Sequence, residues 1–165
     1  MAYDIELMRH SLAHVMAAAV KKLHPEVKFA GGPAIENGFY YDFDTEYRFS
    51  EEDFAKIEKE MRDLIKSNGR FEQKIVSLDE AKEIFADQPY KMEWLNEYDS
   101  AGEKLSIYTF RDFTDLCRGP HVESSKTCHV MDSKSAVLQV HTGRGIPKIK
   151  CCNVSMLMRL QAKMN

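Results

Sequence analysis

The 165-residue sequence has no long apolar run and little glycine or proline. Its longest apolar stretch, residues 15–20, is far shorter than the ~20 residues that a membrane-spanning helix needs. The N-terminus also has no basic segment followed by an apolar one, so we expect no secretory signal and a cytoplasmic protein. Eight glycines, five prolines and 30% charged residues exclude a collagen-like or disordered chain and are typical of a globular protein.

Cysteine is scarce and shows no pairing pattern. The four cysteines are Cys117, Cys128, Cys151 and Cys152, and no two of them are separated by two residues. This pattern indicates neither a disulfide framework nor a zinc site made of cysteine alone. We expect free thiols, with the last three cysteines serving as buried apolar residues.

Positive charge is not in excess. The formal net charge is −3 and the isoelectric point is about 6.1, which excludes a general nucleic-acid binder that depends on neutralising phosphates. A local basic bias occurs in the last quarter of the sequence, where a solvated face and contacts to nucleic-acid phosphates explain it equally well. Its residues are Lys126, Lys134, Arg144, Lys148, Lys150, Arg159 and Lys163.

Several segments have the spacing or the capping residues of helices. Apolar residues recur at helical spacing over residues 7–23. Ser50 and Ser77, each followed by acidic residues, predict two further helix starts, the second helix running to Phe85. Residues 90–95 form a short further element, and residues 154–164 have a helix-forming composition.

Strand-like segments lie between the predicted helices. They cover residues 27–30, 39–43, 71–76, 105–110, 137–140 and 146–150. We expect the last two to pair with each other, and we expect Gly119-Pro120 to break regular structure over residues 115–122. The pattern predicts an α+β fold in which helices pack on a mostly antiparallel sheet, with residues 1–165 forming one domain.

Two short pairs of residues suggest chemistry. His10 and His14 lie one helical turn apart, so both imidazoles can converge on one point. Taken alone, two histidines at this spacing are more often partly buried side chains that hydrogen-bond to backbone carbonyls than members of a functional site. Cys117 and His121 have the same spacing, on a segment that Gly119 and Pro120 hold outside regular structure.

The four residues admit two kinds of site. Thiolate and neutral imidazole are preferred zinc ligands, so they are a complete tetrahedral set. They equally suit a metal-free hydrolytic pocket, because imidazoles with pKa values near ~6.5 can take protons from water at neutral pH. The residues alone leave both interpretations open.

Three stretches are long or specific enough to compare with known families: the His10/His14 pair, GPAIENGFYYD at residues 32–42 and DLCRGPHV at residues 115–122, with Tyr90-Lys91 between the last two. Together they resemble the editing domain of bacterial-type threonyl-tRNA synthetases. The order and spacing also match over nearly the whole chain. The alanyl-tRNA editing domain is more distantly similar, since it shares the two pairs but matches the longer runs less well.

The resemblance implies a hydrolase that removes serine from threonine tRNA. Its partners would be the 3′ end of tRNA(Thr) carrying serine and a threonyl-tRNA synthetase catalytic chain, with no membrane partner and no required cofactor. The length leaves no room for the synthetase's catalytic and anticodon-binding domains, so we expect an excised domain or a freestanding editing factor. A hydrophobic site separates serine from threonine by only ~1–3 kcal/mol, which is why a second, hydrolytic site is useful.

The resemblance also assigns roles residue by residue. Catalytic roles fall on His10, His14, Lys91, Asp115, Cys117 and His121, and substrate or tRNA binding falls on Tyr41, Gly32 and Arg118. In this scheme His10 activates water, Lys91 stabilises the oxyanion and Asp115 anchors the substrate ammonium. Gly32 lets the backbone approach the terminal ribose or simply forms a turn. Phe39, Tyr40 or Tyr41 can stack a base of the single-stranded 3′ end, although for Phe39 and Tyr40 we favour core packing.

Two other functions remain open at this stage. One is a zinc-dependent, alanyl-type editing hydrolase that uses His10, His14, Cys117 and His121 as ligands. The other is a non-catalytic tRNA-binding module of a synthetase. So many titratable groups in one place speak against the module, because packing alone does not require them.

Overall fold

The computed structural model describes residues 4–36, 38–132, 136–142 and 154–160. Within these residues the helices are α1 (Ile5–Leu23), α2 (Glu51–Lys66), α3 (Leu78–Ile84) and α4 (Pro89–Ser100). The strands are β1 (Lys28–Gly31), β2 (Ala34–Ile35), β3 (Gly38–Asp44), β4 (Phe71–Val76), β5 (Leu105–Phe110), β6 (Phe113–Leu116), β7 (Ala136–Thr142) and β8 (Val154–Leu160). A 3-10 segment, Ser125–Asp132, follows β6.

The strands form two antiparallel sheets. The larger sheet has the order β1-β3-β8-β7, with β2 also pairing with β3, and the smaller sheet has the order β4-β5-β6. The four helices pack on these sheets, which confirms the predicted α+β fold. Among the described residues, none of the helices combines the length and the apolar character needed to cross a membrane.

Helix α1 is the most deeply buried helix of the described part of the chain. Asp4 caps it, its Oδ1 accepting hydrogen bonds from the N–H groups of Glu6 at 3.0 Å and Leu7 at 3.2 Å. Every residue from Ser11 to Val20 is buried, because α1 contacts α2, β3 and both β5 and β6. The expected helix over residues 7–23 is confirmed, and two of its polar residues, Ser11 and His14, lie inside the protein.

Helix α2 covers one side of α1. Ser50 and Asp53 form a capping box, with the Ser50 N–H donating to Asp53 Oδ2 at 2.9 Å. Ile57, Met61 and Ile65 are the buried apolar residues on its inner face. The predicted start at Ser50 is confirmed.

The smaller sheet carries the second apolar core. Helices α3 and α4 cover it, and the core residues they share with the sheet are Val76, Ala81, Phe85, Leu95, Leu105, Ile107 and Leu116. The predicted strands over residues 71–76 and 105–110 coincide with β4 and β5. Helix α4 also contacts β1 of the larger sheet, so a buried residue of α4 can bridge the two sheets.

The prediction for the C-terminal part is wrong in one respect. Residues 154–160, expected to be helical, form strand β8, which pairs with β3 on one side and β7 on the other. Backbone bonding on both edges outweighs a helix-forming composition. The predicted strand at residues 137–140 is confirmed within β7, but its partner is β8, while residues 146–150 lie outside the described part of the chain.

Candidate active site

Helix α1 and the loop that follows β6 bring the two predicted pairs together. His10 and His14 come from α1, and Cys117 and His121 come from the loop. One side-chain donor atom from each residue lies within 4.8 Å of the other three. We call these four residues the His/Cys cluster.

The cysteine sulfur lies between two imidazoles. Cys117 Sγ is 3.4 Å from His10 Nε2 and 3.4 Å from His121 Nε2. The Gly119 N–H donates to the same sulfur at 3.2 Å. His14 completes the cluster, with its ring centroid 4.1 Å from that of His121.

Gly119 shapes the loop that presents Cys117 and His121. Its φ is +70°, and a Cβ at this position would lie 2.3 Å from the Tyr108 hydroxyl oxygen. Both facts require glycine here. The neighbouring Arg118 is not in the His/Cys cluster: it forms an ion pair with Glu103 and lies over the Tyr98 ring at 4.7 Å.

The His/Cys cluster is uncharged near neutral pH. Burial is the main cause that lowers the pKa of His10 and, more strongly, those of His14 and His121. Neighbouring imidazoles, which cannot all be protonated together, lower the pKa of His14 and His121 further, and the Lys91 charge adds to this for His14. Burial also raises the pKa of Cys117 to about 11, so its thiol stays protonated. The cluster therefore offers neutral imidazoles as proton acceptors and a neutral thiol.

A second buried network adjoins the cluster through His14. Asp115 forms an ion pair with Lys91, accepts a 2.7 Å hydrogen bond from the Tyr41 hydroxyl and lies 3.5 Å from His14 Nε2. Lys91 also donates to the Ala30 carbonyl at 2.6 Å and to the Tyr41 hydroxyl oxygen at 3.3 Å. Burial, followed by the Asp115 charge, raises the pKa of Tyr41 well above its ordinary value, so Tyr41 stays a neutral donor.

Two cavities reach these residues from different sides. A cleft of about 270 Å³ is lined by Asp4, Glu6, Leu7, His10, Pro33, Ala34 and Pro120. His10 is the member of the His/Cys cluster that lines it. A second cavity of about 220 Å³ has Lys91 and Asp115 in its wall. The sequence did not predict either opening.

Strand β3 agrees with the expected core packing of Phe39 but differs from the base-stacking expectation for Tyr41. Phe39 and Tyr41 are fully buried, and Tyr41 uses its hydroxyl on Asp115, so neither ring offers a face to a base. Of the three aromatic residues considered, Tyr40 alone is partly exposed. Core packing and the need to hold Asp115 account for this difference.

The chain's own packing explains Gly32. A Cβ at this residue would lie 1.8 Å from the Tyr40 carbonyl oxygen. The backbone of residue 32 is therefore pressed against β3, which requires glycine even when no ribose is bound.

Sequence reasoning missed Ser11 and Trp94. Ser11 is fully buried, and its Oγ lies 3.1 Å from His121 Nδ1. Trp94 packs near Lys91, whose Nζ lies 5.0 Å from the ring centroid. The one available signal for Ser11 was a hydroxyl in an otherwise apolar stretch of α1.

The His/Cys cluster fits zinc in the kind of its donors and approximately in their spacing. Bonds of ~2.0–2.3 Å place the donors of a tetrahedral zinc about 3.3–3.8 Å apart. The two 3.4 Å sulfur–nitrogen distances agree with this, and the full set spreads to 4.8 Å. Small side-chain movements would therefore close His10, His14, Cys117 and His121 around an ion.

Comparison with known proteins identifies relatives, although no family model matches the chain. A threonine–tRNA ligase of Staphylococcus carnosus (strain TM300) is 49% identical over 121 residues, which is 73% of this chain and 18% of the ligase. One of Staphylococcus aureus (strain JH9) is also 49% identical over 121 residues, covering 73% of this chain and 19% of the ligase. The chain spans about a fifth of the length of these relatives. It is therefore homologous to a segment of threonyl-tRNA synthetase, consistent with that enzyme's editing domain.

Proposed function

We propose that this chain is an aminoacyl-tRNA deacylase that hydrolyses Ser-tRNA(Thr), with residues 1–165 acting as one editing domain. Its partners are then the 3′ end of tRNA(Thr) carrying serine and a threonyl-tRNA synthetase catalytic chain. The observation that carries the proposal is that the His10/His14 pair and the Cys117/His121 pair converge in one cluster. The His10 imidazole of this cluster lines an open cleft.

In the proposed reaction, water attacks the ester carbonyl of the seryl group. A tetrahedral oxyanion forms, the bond from carbon to the ribose oxygen breaks, and the proton taken from the water passes to that oxygen, so that the ribose hydroxyl and free serine are released. His10 is the proposed group that takes a proton from the water, because it lines the cleft and its lowered pKa keeps it neutral. Burial outweighs the opposing effect of the Pro120 backbone on this pKa.

Lys91 and Asp115 supply the proposed electrostatic environment. The Lys91 ammonium contacts Asp115, the Ala30 carbonyl and the Tyr41 hydroxyl. Direct contact with an oxyanion beside His10 requires Lys91, which lines the second cavity, to release one of these partners and move toward the cleft. Of its two hydrogen bonds, the one to Tyr41, at 3.3 Å, is longer than the one to Ala30, at 2.6 Å. Direct binding of the substrate ammonium by Asp115 likewise competes with Lys91 and Tyr41.

Arg118 and Gly32 have narrower roles in this proposal than direct binding of the substrate. Arg118 is largely exposed and remains a proposed contact for tRNA, reached by opening its ion pair with Glu103. Gly32 adjoins Pro33 and Ala34 in the cleft wall, so its proposed contribution is to let that wall lie close to β3. Tyr41 contributes in this proposal by orienting Asp115.

The same donors support a second candidate, a zinc-dependent editing hydrolase of the alanyl type. His10, His14, Cys117 and His121 would hold the ion. Because four protein ligands complete a tetrahedral site, Lewis-acid activation of water would require a fifth coordination position or the release of one ligand. The raised pKa of Cys117 then has a consequence: zinc binding must displace the thiol proton, so affinity should rise with pH.

Deacylation assays on the full chain test both candidates. The substrates are Ser-tRNA(Thr), Thr-tRNA(Thr) and Ser-tRNA(Ala), each with and without a metal chelator. We expect chelator-resistant hydrolysis of Ser-tRNA(Thr) alone. Chelator-sensitive hydrolysis of Ser-tRNA(Ala) would instead support the zinc enzyme, and binding of tRNA without turnover of any substrate would support a non-catalytic module.

A matched pair of histidine variants assigns the chemistry. His10→Ala should lower the rate by about 100-fold or more, since it removes the proposed base. His24→Ala is the control, because His24 packs against Tyr47 and Phe49 away from the His/Cys cluster. Equal rates for His10→Ala and His24→Ala would contradict the proposed role of His10.

A further inference from the structure

Ser11 is a fully buried polar residue that joins helix α1 to the loop carrying His121. Its Oγ lies 2.9 Å from the Leu7 carbonyl oxygen, 3.0 Å from the Val122 backbone nitrogen and 3.1 Å from His121 Nδ1. Three polar groups from two segments more than a hundred positions apart thus meet at one hydroxyl.

We propose that Ser11 is a positioning residue that holds His121 in the tautomer with hydrogen on Nδ1 and so turns the Nε2 lone pair of His121 toward Cys117. The assignment of the His121 tautomer depends on the hydrogen bonds alone. The expected effect of Ser11 on the reaction rate rests on the proposed function.

Counting hydrogens leads to this tautomer. A hydroxyl has one hydrogen to donate, and the Leu7 carbonyl can only accept, so the Ser11 hydrogen goes to Leu7. The Val122 N–H can only donate, so it donates to Oγ. The remaining contact, to His121 Nδ1, then requires Oγ to accept, and Nδ1 must carry the hydrogen.

The consequence reaches the His/Cys cluster through the other ring nitrogen. With hydrogen on Nδ1, Nε2 of His121 is an acceptor, and it lies 3.4 Å from Cys117 Sγ. A neutral thiol can donate to it, or Nε2 can bind a water or an ion. Fixing the second nitrogen of a functional histidine in this way is a common means of orienting the first.

Nuclear magnetic resonance of the protein with ¹⁵N-labelled histidine tests the tautomer directly. Correlations between ring nitrogens and ring carbon-bound hydrogens identify which nitrogen carries the hydrogen, and His121→Asn assigns the signals. We expect the Nδ1–H form of His121 in the wild-type protein. An Nε2–H form there would overturn the proposal, and this result needs neither a variant nor deacylase activity.

Ser11→Ala tests the cause, and Ser125→Ala is its matched control. Ser125 is also fully buried, and its Oγ accepts from the Gly69 N–H at 3.0 Å and lies 3.2 Å from the Leu64 carbonyl oxygen, but it does not contact the cluster. Ser11→Ala should shift His121 toward the Nε2–H form and lower kcat about ten- to a hundredfold with little change in KM. Ser125→Ala should change neither readout.

The two readouts separate the inference from the proposed function. If the chain has no deacylase activity but the His121 signals change in Ser11→Ala, the positioning role holds and the proposed reaction fails. If the tautomer is unchanged in Ser11→Ala, the positioning role is wrong whatever the activity.

Discussion

The Tyr41 hydroxyl donates a 2.7 Å hydrogen bond to Asp115 although the two residues lie in different sheets. Tyr41 belongs to β3 of the larger sheet and Asp115 to β6 of the smaller one. Lys91, from helix α4, contacts both residues. The buried polar network therefore ties the two sheets and α4 together next to the His/Cys cluster.

Tyr41→Phe should destabilise the protein by about 1–3 kcal/mol, because a buried carboxylate loses a hydrogen-bond donor. Urea unfolding measures this loss. Tyr90→Phe is the control: Tyr90 donates to Asp44 at 2.6 Å, but Asp44 is only half-buried and can be solvated instead. Equal losses in the two variants would show that the burial of Asp115 does not matter.

Lys91→Met should cost more, about 3–5 kcal/mol, since it leaves the Asp115 charge buried without its cation. Both side chains of this pair are at most 4% exposed. Adding Asp115→Asn should recover part of the loss, which a double-mutant cycle by urea unfolding measures. Strictly additive effects would contradict a coupled pair. Lys59→Met, which removes the partner of Asp63 in an exposed pair, should change stability little.

Stability should decrease as the pH falls below about 6.5. Burial lowers the pKa values of His10, His14 and His121 from 6.5, so at lower pH the unfolded chain binds protons that the folded chain does not. More protons on the unfolded chain mean a free energy of unfolding that drops with falling pH and levels off above the ordinary histidine pKa. We expect a lower urea midpoint at about pH 5 than at about pH 7 in chelating buffer.

A variant without one of these histidines provides the control for the pH effect. His14→Gln removes one of the three groups, so its stability should depend less steeply on pH over the same range. Both pH values also lie above 3.8, the ordinary pKa of Asp53. At lower pH the lowered pKa of Asp53 would add to the loss of stability. An unchanged slope in His14→Gln would be evidence against the neutral cluster.

Gly119→Ala should disrupt the loop that carries Cys117 and His121. Gly102 provides the comparison, since it has a similar φ of +67° but open space where a Cβ would stand, whereas at Gly119 the Cβ would lie 2.3 Å from Tyr108. Gly102→Ala should cost only the conformational strain of about 1–2 kcal/mol. Gly119→Ala should cost clearly more and lower the deacylation rate. Similar unfolding free energies for the two variants would contradict the steric part of this argument.

Local sequence signals predicted most of the secondary structure. Strand β5 is rich in apolar and aromatic residues, and Ser50 and Ser77 mark helix starts that the structure confirms. The fold class followed from these elements. The miss at residues 154–160 has a specific cause, since β8 is held by strands distant from it in sequence, which local composition does not report.

The sequence likewise predicted some features of the candidate site and not others. Spacing predicted that His10 could meet His14 and that Cys117 could meet His121, and the chemistry of the four side chains suggested one shared site, while the resemblance assigned their roles. The contacts of Lys91 with Ala30 and Asp115 join α4 to two sheets, so no local pattern could predict them. The burial of Tyr41 and the contact between Ser11 and His121 were missed for the same reason.

The position of β8 has a consequence for how the chain folds. Strand β3 is complete by Asp44 and pairs on one edge with β1 and β2, which precede it in the sequence. Its other neighbour, β8, does not begin until Val154, so during synthesis β3 is made long before the strand that covers its second edge. The smaller sheet, by contrast, joins β4, β5 and β6 from residues 71–116 and can form from nearby segments. We expect the larger sheet to close last, and a nascent chain halted before β8 to expose an unpaired β3 edge that promotes aggregation.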